Sequence, residues 1–164
     1  MIFVTVGSQV PFDRLVRAVD AWAASHPGHR VVAQVGVTDF APRCMEVHAG
    51  LPPEAYQDAF AAADVVVGHA GMGTIITAFE LGKHLLIMPR RAALGEHRND
   101  HQLATVERVK DYPGIAVAMQ EDELAGRLDE LLALDPPERQ AQLPGEAKRD
   151  RLIDFLRATV DGWQ

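Results

Sequence analysis

Three short segments hold residue types that can grip or transform a small polar molecule. The first is His69-Ala70-Gly71-Met72-Gly73-Thr74, which runs directly into an apolar periodic stretch. Glycines at 71 and 73 leave backbone N–H groups open at a helix start, where the helix dipole adds positive potential. Thr74 adds a hydroxyl and His69 an imidazole, so the set suits a diphosphate. The same residues also read as a plain capped helix, with Thr74 as N-cap and His69 as a strand-end histidine. The second segment is Pro89-Arg90-Arg91, then Gly95-Glu96-His97-Arg98-Asn99-Asp100-His101-Gln102. Asp100 and Gln102 can hold sugar hydroxyls, since carboxylates and amides accept and donate in that geometry; the plainer alternative is a solvated helix start. His97 and His101 stand at i,i+4, a spacing that also suits a metal, but no H-E-x-x-H is present and no metal site is expected. The third segment, Gly7-Ser8-Gln9, offers a tight turn and polar donors, or a simple strand-to-helix turn.

These segments need elements to position them. Short β-branched runs lie at Ile2–Val6, Arg30–Val35, Met45–His48, Asp64–Gly68, His84–Met88 and Ile115–Ala118. Between them Leu15, Val16, Val19, Trp22 and Ala23 recur at three- and four-residue steps, one apolar helix face that Asp13 can cap. Further helices are expected over Pro53–Ala63, Thr74–Leu81, Asn99–Lys110, Asp122–Leu134 and about 146–162, with Gly82 ending the third and Pro136-Pro137 ending the fifth. Asp135–Gly145 reads as a loose connection. Strand and helix alternate, and the strands are apolar almost throughout, so the expected fold is α/β, a Rossmann-like doubly wound parallel sheet over residues 1–164 as a single domain. In such a sheet ligands sit beyond the carboxyl ends of the strands, where all three polar segments fall. Leu152, Leu156 and Val160 form a stripe on the last helix, with Phe155 and Trp163 beside it; the stripe reads as core or, in part, as a docking face.

Composition narrows the function. The chain has 164 residues with 48% apolar and 24% charged side chains, the balance of a globular domain. With 16 basic and 23 acidic residues the formal charge is −7, which argues against a nucleic-acid binder. The single cysteine, Cys44, excludes an intrachain disulfide and points to a reducing cytoplasm. No apolar run approaches the ~20 residues that span a bilayer, and no basic stretch precedes Ile2, so neither a membrane span nor a signal peptide is expected. The absence of G-x-G-x-x-G disfavours a nicotinamide dinucleotide site.

Taken together, Ile2–Phe12, the run Ala63–Thr74, Gly82-Lys83, the strand ending in Pro89-Arg90 and Asn99-Asp100-His101-Gln102 resemble the C-terminal, donor-binding half of GT-B glycosyltransferases. Within that group the chain is similar to small stand-alone subunits: the catalytic subunit of the dolichol-pathway UDP-GlcNAc transferase and, nearer, the PssE-type subunits of two-component bacterial exopolysaccharide glycosyltransferases. The resemblance implies a UDP-sugar donor and no other cofactor, with Gly7, Ser8 and Gln9 near the donor diphosphate or the acceptor. It implies that His69, Gly71, Met72, Gly73 and Thr74 cradle the pyrophosphate, and that Asp100, His101 and Gln102 face the donor sugar. Related domains bind ribose through a glutamate where this chain has Thr77; here either Glu80, one turn on, reaches the ribose or Thr77 makes a weaker contact. Arg90, Arg91 and Arg98 can pair with a sugar carboxylate, which tilts the donor toward a uronic acid among glucuronosyl, galactosyl and N-acetylglucosaminyl types.

A GT-B enzyme reacts between two halves, so the resemblance also implies a membrane-anchored acceptor-side partner of the PssD type. It implies a polyprenyl-diphosphate-linked saccharide acceptor and recruitment of a cytoplasmic chain to the inner membrane face. Transfer would be inverting and metal-independent. The base would be His69, His101 or a group on the partner. The other reading is a non-catalytic nucleotide-sugar-binding module that regulates a polysaccharide assembly complex.

Overall fold

In the computed structural model, which describes residues 1–7 and 10–161, six strands form one parallel sheet. The strands are β1 (Ile2–Thr5), β2 (Val31–Gln34), β3 (Glu46–His48), β4 (Val65–His69), β5 (His84–Met88) and β6 (Ile115–Val117). Their order is β3-β2-β1-β4-β5-β6. The order reverses between β1 and β4, and the register there sets Thr5 beside Gly68. Both strands therefore end at one level and open a crevice between their carboxyl ends, the place where doubly wound sheets bind ligands.

Alternation along each strand splits the core in two. Ile2, Val4 and Val6 face α1 (Asp13–Ser25) and α5 (Glu121–Ala133), packing on Leu15, Val16, Val19, Leu124 and Leu128. Phe3, Val66, Leu85 and Ile87 face the other layer, made by α2 (Pro53–Ala62), α3 (Met72–Glu80), α4 (His101–Val109) and α7 (Glu146–Asp161). The two layers bury the side chains of the central strands β1, β4 and β5 almost throughout, which is why these carry no polar alternation, while the edge strands β3 and β6 stay partly exposed. The Rossmann-like α/β class expected from the sequence is the observed one.

Four local expectations are corrected. Asp135–Gly145 is not a loose connection: α6 (Pro136–Gln142) occupies it, started by a capping box in which Asp135 accepts from Glu138 N–H and Glu138 from Asp135 N–H. The prolines that signal a break sit at the first turn of this helix, where a missing N–H costs nothing. Asp13 does not cap α1; Phe12 holds the cap position, and the Asp13 carboxylate instead accepts from the Thr38 hydroxyl. α3 begins two residues before the expected Thr74, with Gly71 as N-cap, and α4 begins at His101 rather than Asn99. Leu152 and Leu156 are core, whereas Phe155 is exposed. Trp163, Ser8 and Gln9 lie outside the described residues.

Candidate functional site

The crevice holds a cavity of about 250 Å³ lined by Val6, Gly7, Val10, His69, Arg90, His97 and Gln102. Two glycines make room for its central imidazole. Gly7 has φ +79°, and a Cβ there would stand 3.1 Å from His69 Cε1. A Cβ on Gly71 would stand 2.2 Å from His69 Nε2, so any larger residue displaces the ring. His69 is thus wedged between the turn after β1 and the start of α3. Burial, with the Arg90 charge adding to it, lowers the imidazole from 6.5 to about 4, although the Thr5 carbonyl pulls the other way. His69 is neutral at pH 7. Its Nδ1 is buried without a hydrogen bond.

Beside His69, α3 starts without a side-chain cap. Its first hydrogen bond runs from Ile75 N–H to the Gly71 carbonyl. Ahead of that bond the N–H groups of Met72, Gly73 and Thr74 have no intrahelical acceptor and carry the positive end of the dipole. A Cβ on Gly73 would meet nothing within 4 Å, so the protein leaves that side of the helix start open. Thr74 itself is buried, and its hydroxyl interacts with the Tyr56 phenol, whose pKa burial raises. Its side chain therefore points into the α2–α3 layer; the expected hydroxyl is engaged there, and Thr74 offers the helix start its backbone N–H.

The two candidates for a sugar-ring contact on α3 separate. Thr77 Oγ1 donates 2.9 Å back to the Gly73 carbonyl and keeps its lone pairs on the same helix side as the open start. Glu80 is ion-paired with Arg157 of α7, at the far end of α3. Eight residues at ~1.5 Å each put it about 12 Å along the axis from Met72, which removes it from the site.

The segment after β5 differs most from expectation. Arg90 is 3% exposed and donates to four backbone carbonyls: Val6 at 2.7 Å, Val10 at 2.6 Å, Pro11 at 2.6 Å and Glu96 at 3.2 Å. Its guanidinium also stacks 4.6 Å from the Phe12 ring centre. Expected to touch substrate, Arg90 instead ties the turn after β1 to the loop after β5, its donors consumed by carbonyls. Arg91 donates from Nη2 to the Met119 carbonyl, and its Nε has no hydrogen-bond partner; Arg98 is exposed. Asp100 accepts from Ala92 N–H, bracing the short 3₁₀ turn Ala92–Leu94, and does not line the cavity. His101 contacts the Asn99 side chain, and burial, with His97 and Arg98 adding, lowers its pKa. Gln102 is the member of the expected trio that lines the cavity; its Oε1 accepts from Arg90 N–H at 3.0 Å, leaving the NH₂ as its remaining donor.

Two residues escaped the sequence reading of this site. His97, weighed there only as a metal ligand, is a wall of the cavity. Arg14, on α1, makes a two-pronged ion pair with Glu96, at 2.7 and 2.9 Å, and both side chains are 11% exposed. No local pattern could reveal a pair 82 positions apart. Among the described residues no group of three His, Cys, Asp or Glu has metal-site geometry, and no helix is long and apolar enough to cross a membrane.

The profile of the glycosyltransferase family 28 C-terminal domain matches residues 1–152. Solved structures share the fold at low identity. The chain is similar to the glycotransferase of kitacinnamycin at TM-score 0.64 and 22% identity, covering 96% of this chain and 39% of that one. Os79 from O. sativa, solved in complex with UDP, matches at TM-score 0.62 and 14% identity, covering 96% and 40%. MurG of Acinetobacter baumannii matches at 0.57 and 16%, covering 95% and 49%. The chain thus spans between two fifths and one half of these proteins. No curated protein sequence matches it.

Proposed function

The chain belongs to the glycosyltransferase family 28 C-terminal domains, and from that premise we propose that it is the donor-binding half of a UDP-sugar glycosyltransferase. The observation that carries this is the uncapped start of α3, open at Gly73 and flanked by a neutral His69. Three unpaired N–H groups at a dipole end form a seat for a diphosphate that needs no metal ion. A neutral imidazole can donate one hydrogen bond to that anion without changing charge through the physiological range. At about 4, the same imidazole is a poor match for a general base at neutral pH. Of the two histidine candidates His69 therefore binds, and the base is His101 or a group of the partner.

The finer reading is a PssE-type subunit in exopolysaccharide synthesis. In it, inverting transfer delivers a hexosyl or glycuronosyl group to a polyprenyl-diphosphate-linked saccharide, and a membrane-anchored acceptor-side half brings this chain to the membrane. The second reading, a non-catalytic nucleotide-sugar-binding module, draws on Thr77, whose hydroxyl is turned back onto the Gly73 carbonyl where relatives are expected to place a carboxylate.

Calorimetric titration with UDP tests the donor site. The wild-type chain binds, and Gly73→Val, which the fold accommodates, abolishes binding by filling the approach to the N–H groups. Wild-type affinity in a folded Gly73→Val chain sinks this assignment.

A further inference from the structure

We propose that His97 is a donor-binding residue, seating an anionic oxygen group of the donor opposite His69 and Gln102, and that the Arg14–Glu96 pair is the device that positions it. This rests on the donor-site reading above. The cavity is too small for a whole nucleotide sugar, since sites for ligands of that size run to roughly 300–1,000 Å³. It takes one end of the donor. Among the described residues no carboxylate lines it, and the full charge among them is the Arg90 guanidinium, in a chain of net charge −7. The Val6 and Val10 carbonyls and Gln102 Oε1 are already engaged by Arg90, so an anionic group entering here meets positive potential and the donors of the two imidazoles and of the Gln102 amide.

His97 supplies one of those donors. Its Nδ1 is buried with no hydrogen-bond partner. A buried N–H without an acceptor is the costlier way to leave a nitrogen unpaired, so the proton belongs on Nε2, the nitrogen left for a ligand. The ring is braced edge-on against His101, with centroids 4.4 Å apart.

The loop's own structure explains why His97 stands there. Glu96 is held by Arg14 in two places, and its Oε2 also accepts from Arg91 N–H at 2.9 Å. Its carbonyl accepts from Arg90 and its N–H donates to the Arg91 carbonyl. Arg14 reaches the Pro89 carbonyl at 2.8 Å as well. The residue before His97 is therefore fixed to α1 and to the end of β5 at once. Arg14 never faces the cavity and acts through Glu96.

Calorimetry with four probes, UDP, uridine, UDP-glucose and UDP-glucuronate, separates the possibilities. His97→Ala is expected to lower affinity for an anionic probe at least tenfold and to leave uridine unchanged, with His97→Asn recovering part of the loss. A loss already present for UDP assigns the group to the diphosphate; a loss confined to UDP-glucuronate assigns it to a sugar carboxylate. Affinity unchanged for every probe in a folded His97→Ala chain overturns the proposal, and so does a loss confined to UDP-glucose. If the wild type binds none of the UDP compounds, the donor reading falls and this inference with it. For positioning, Arg14→Met should weaken the same probe, and its effect should vanish in the His97→Ala background. Additive effects refute the positioning role, because a general loss of folding would act on both backgrounds alike. In the wild type the His97 Nε2 resonance should move when the anionic probe is added.

Discussion

Gly71 matters because of one ring. Its missing Cβ is the space that His69 occupies, so Gly71→Ala must push the imidazole out of the crevice. The expected result is a UDP affinity at least tenfold weaker by calorimetry, together with a lower melting temperature, since alanine is a poorer N-cap than glycine and the ring must leave its packed place. His69 also makes stability depend on pH. Its pKa is lowered in the folded chain, so above 6.5 both folded and unfolded states are neutral and nothing is lost. As pH falls from 6.5 toward 4 the unfolded chain takes the proton first, and folding weakens. The difference amounts to about 3 kcal/mol at ~1.4 kcal/mol per pH unit. Urea unfolding at pH 7 and 4.5 should show a smaller acid loss in His69→Gln than in wild type, by about 2–3 kcal/mol. An equal loss in both would mean that His69 is protonated in the folded protein near its ordinary value.

At the scale of elements the site is made by two loops that cannot hold themselves. The turn after β1 and the loop after β5 are irregular backbone, and their carbonyls need donors. Arg90 meets four of them with one planar fork while stacking on Phe12. Lysine concentrates its donors at a point and cannot span that set. Arg90→Lys should therefore cost about 2–4 kcal/mol in chemical denaturation, with UDP affinity falling as the loops slacken. A cost below about 0.5 kcal/mol would show that water replaces the guanidinium without penalty. The loop after β5 is carried by α1 through Arg14 and by α4 through Gln102, so both layers of the sheet contribute to one cavity.

For the whole molecule, a donor held at the carboxyl edge of one sheet is walled on one side only. Among the described residues nothing opposite it orients an acceptor hydroxyl for in-line attack, and orientation supplies on the order of 7–11 kcal/mol in the best intramolecular cases. The chain alone should show no sugar transfer from radiolabelled UDP-sugar to a lipid-linked acceptor. Adding a membrane-anchored acceptor-side half should restore turnover, and on the proposed reading, in which the α3 start takes the electrostatic place of a metal ion, that turnover should survive EDTA. Full turnover by the chain alone contradicts the split-enzyme reading; turnover lost on chelation and regained with a divalent ion contradicts the metal-free one.

The sequence pattern alone determined the parallel sheet and its six strands, since the central strands, buried by helices on both faces, read as apolar runs and the strands alternate with helical segments. It also marked His69, Gly71 and Gly73, because a helix start that must stay open needs glycine locally. The prolines of the first turn of α6 were misread because proline marks a helix start as readily as a break, and only the reciprocal Asp135–Glu138 bonds tell the two apart. What tertiary structure decided was the use of each long polar side chain. Arg90 and Glu80 are suitable ligands by type, but one is consumed by carbonyls up to 84 positions away and the other by Arg157 at the wrong end of its helix. Arg14 acts on the site for the same reason: its partner Glu96 lies 82 positions along the chain, their distance is set only when the layers close on the sheet, and His97 follows as the next residue after Glu96.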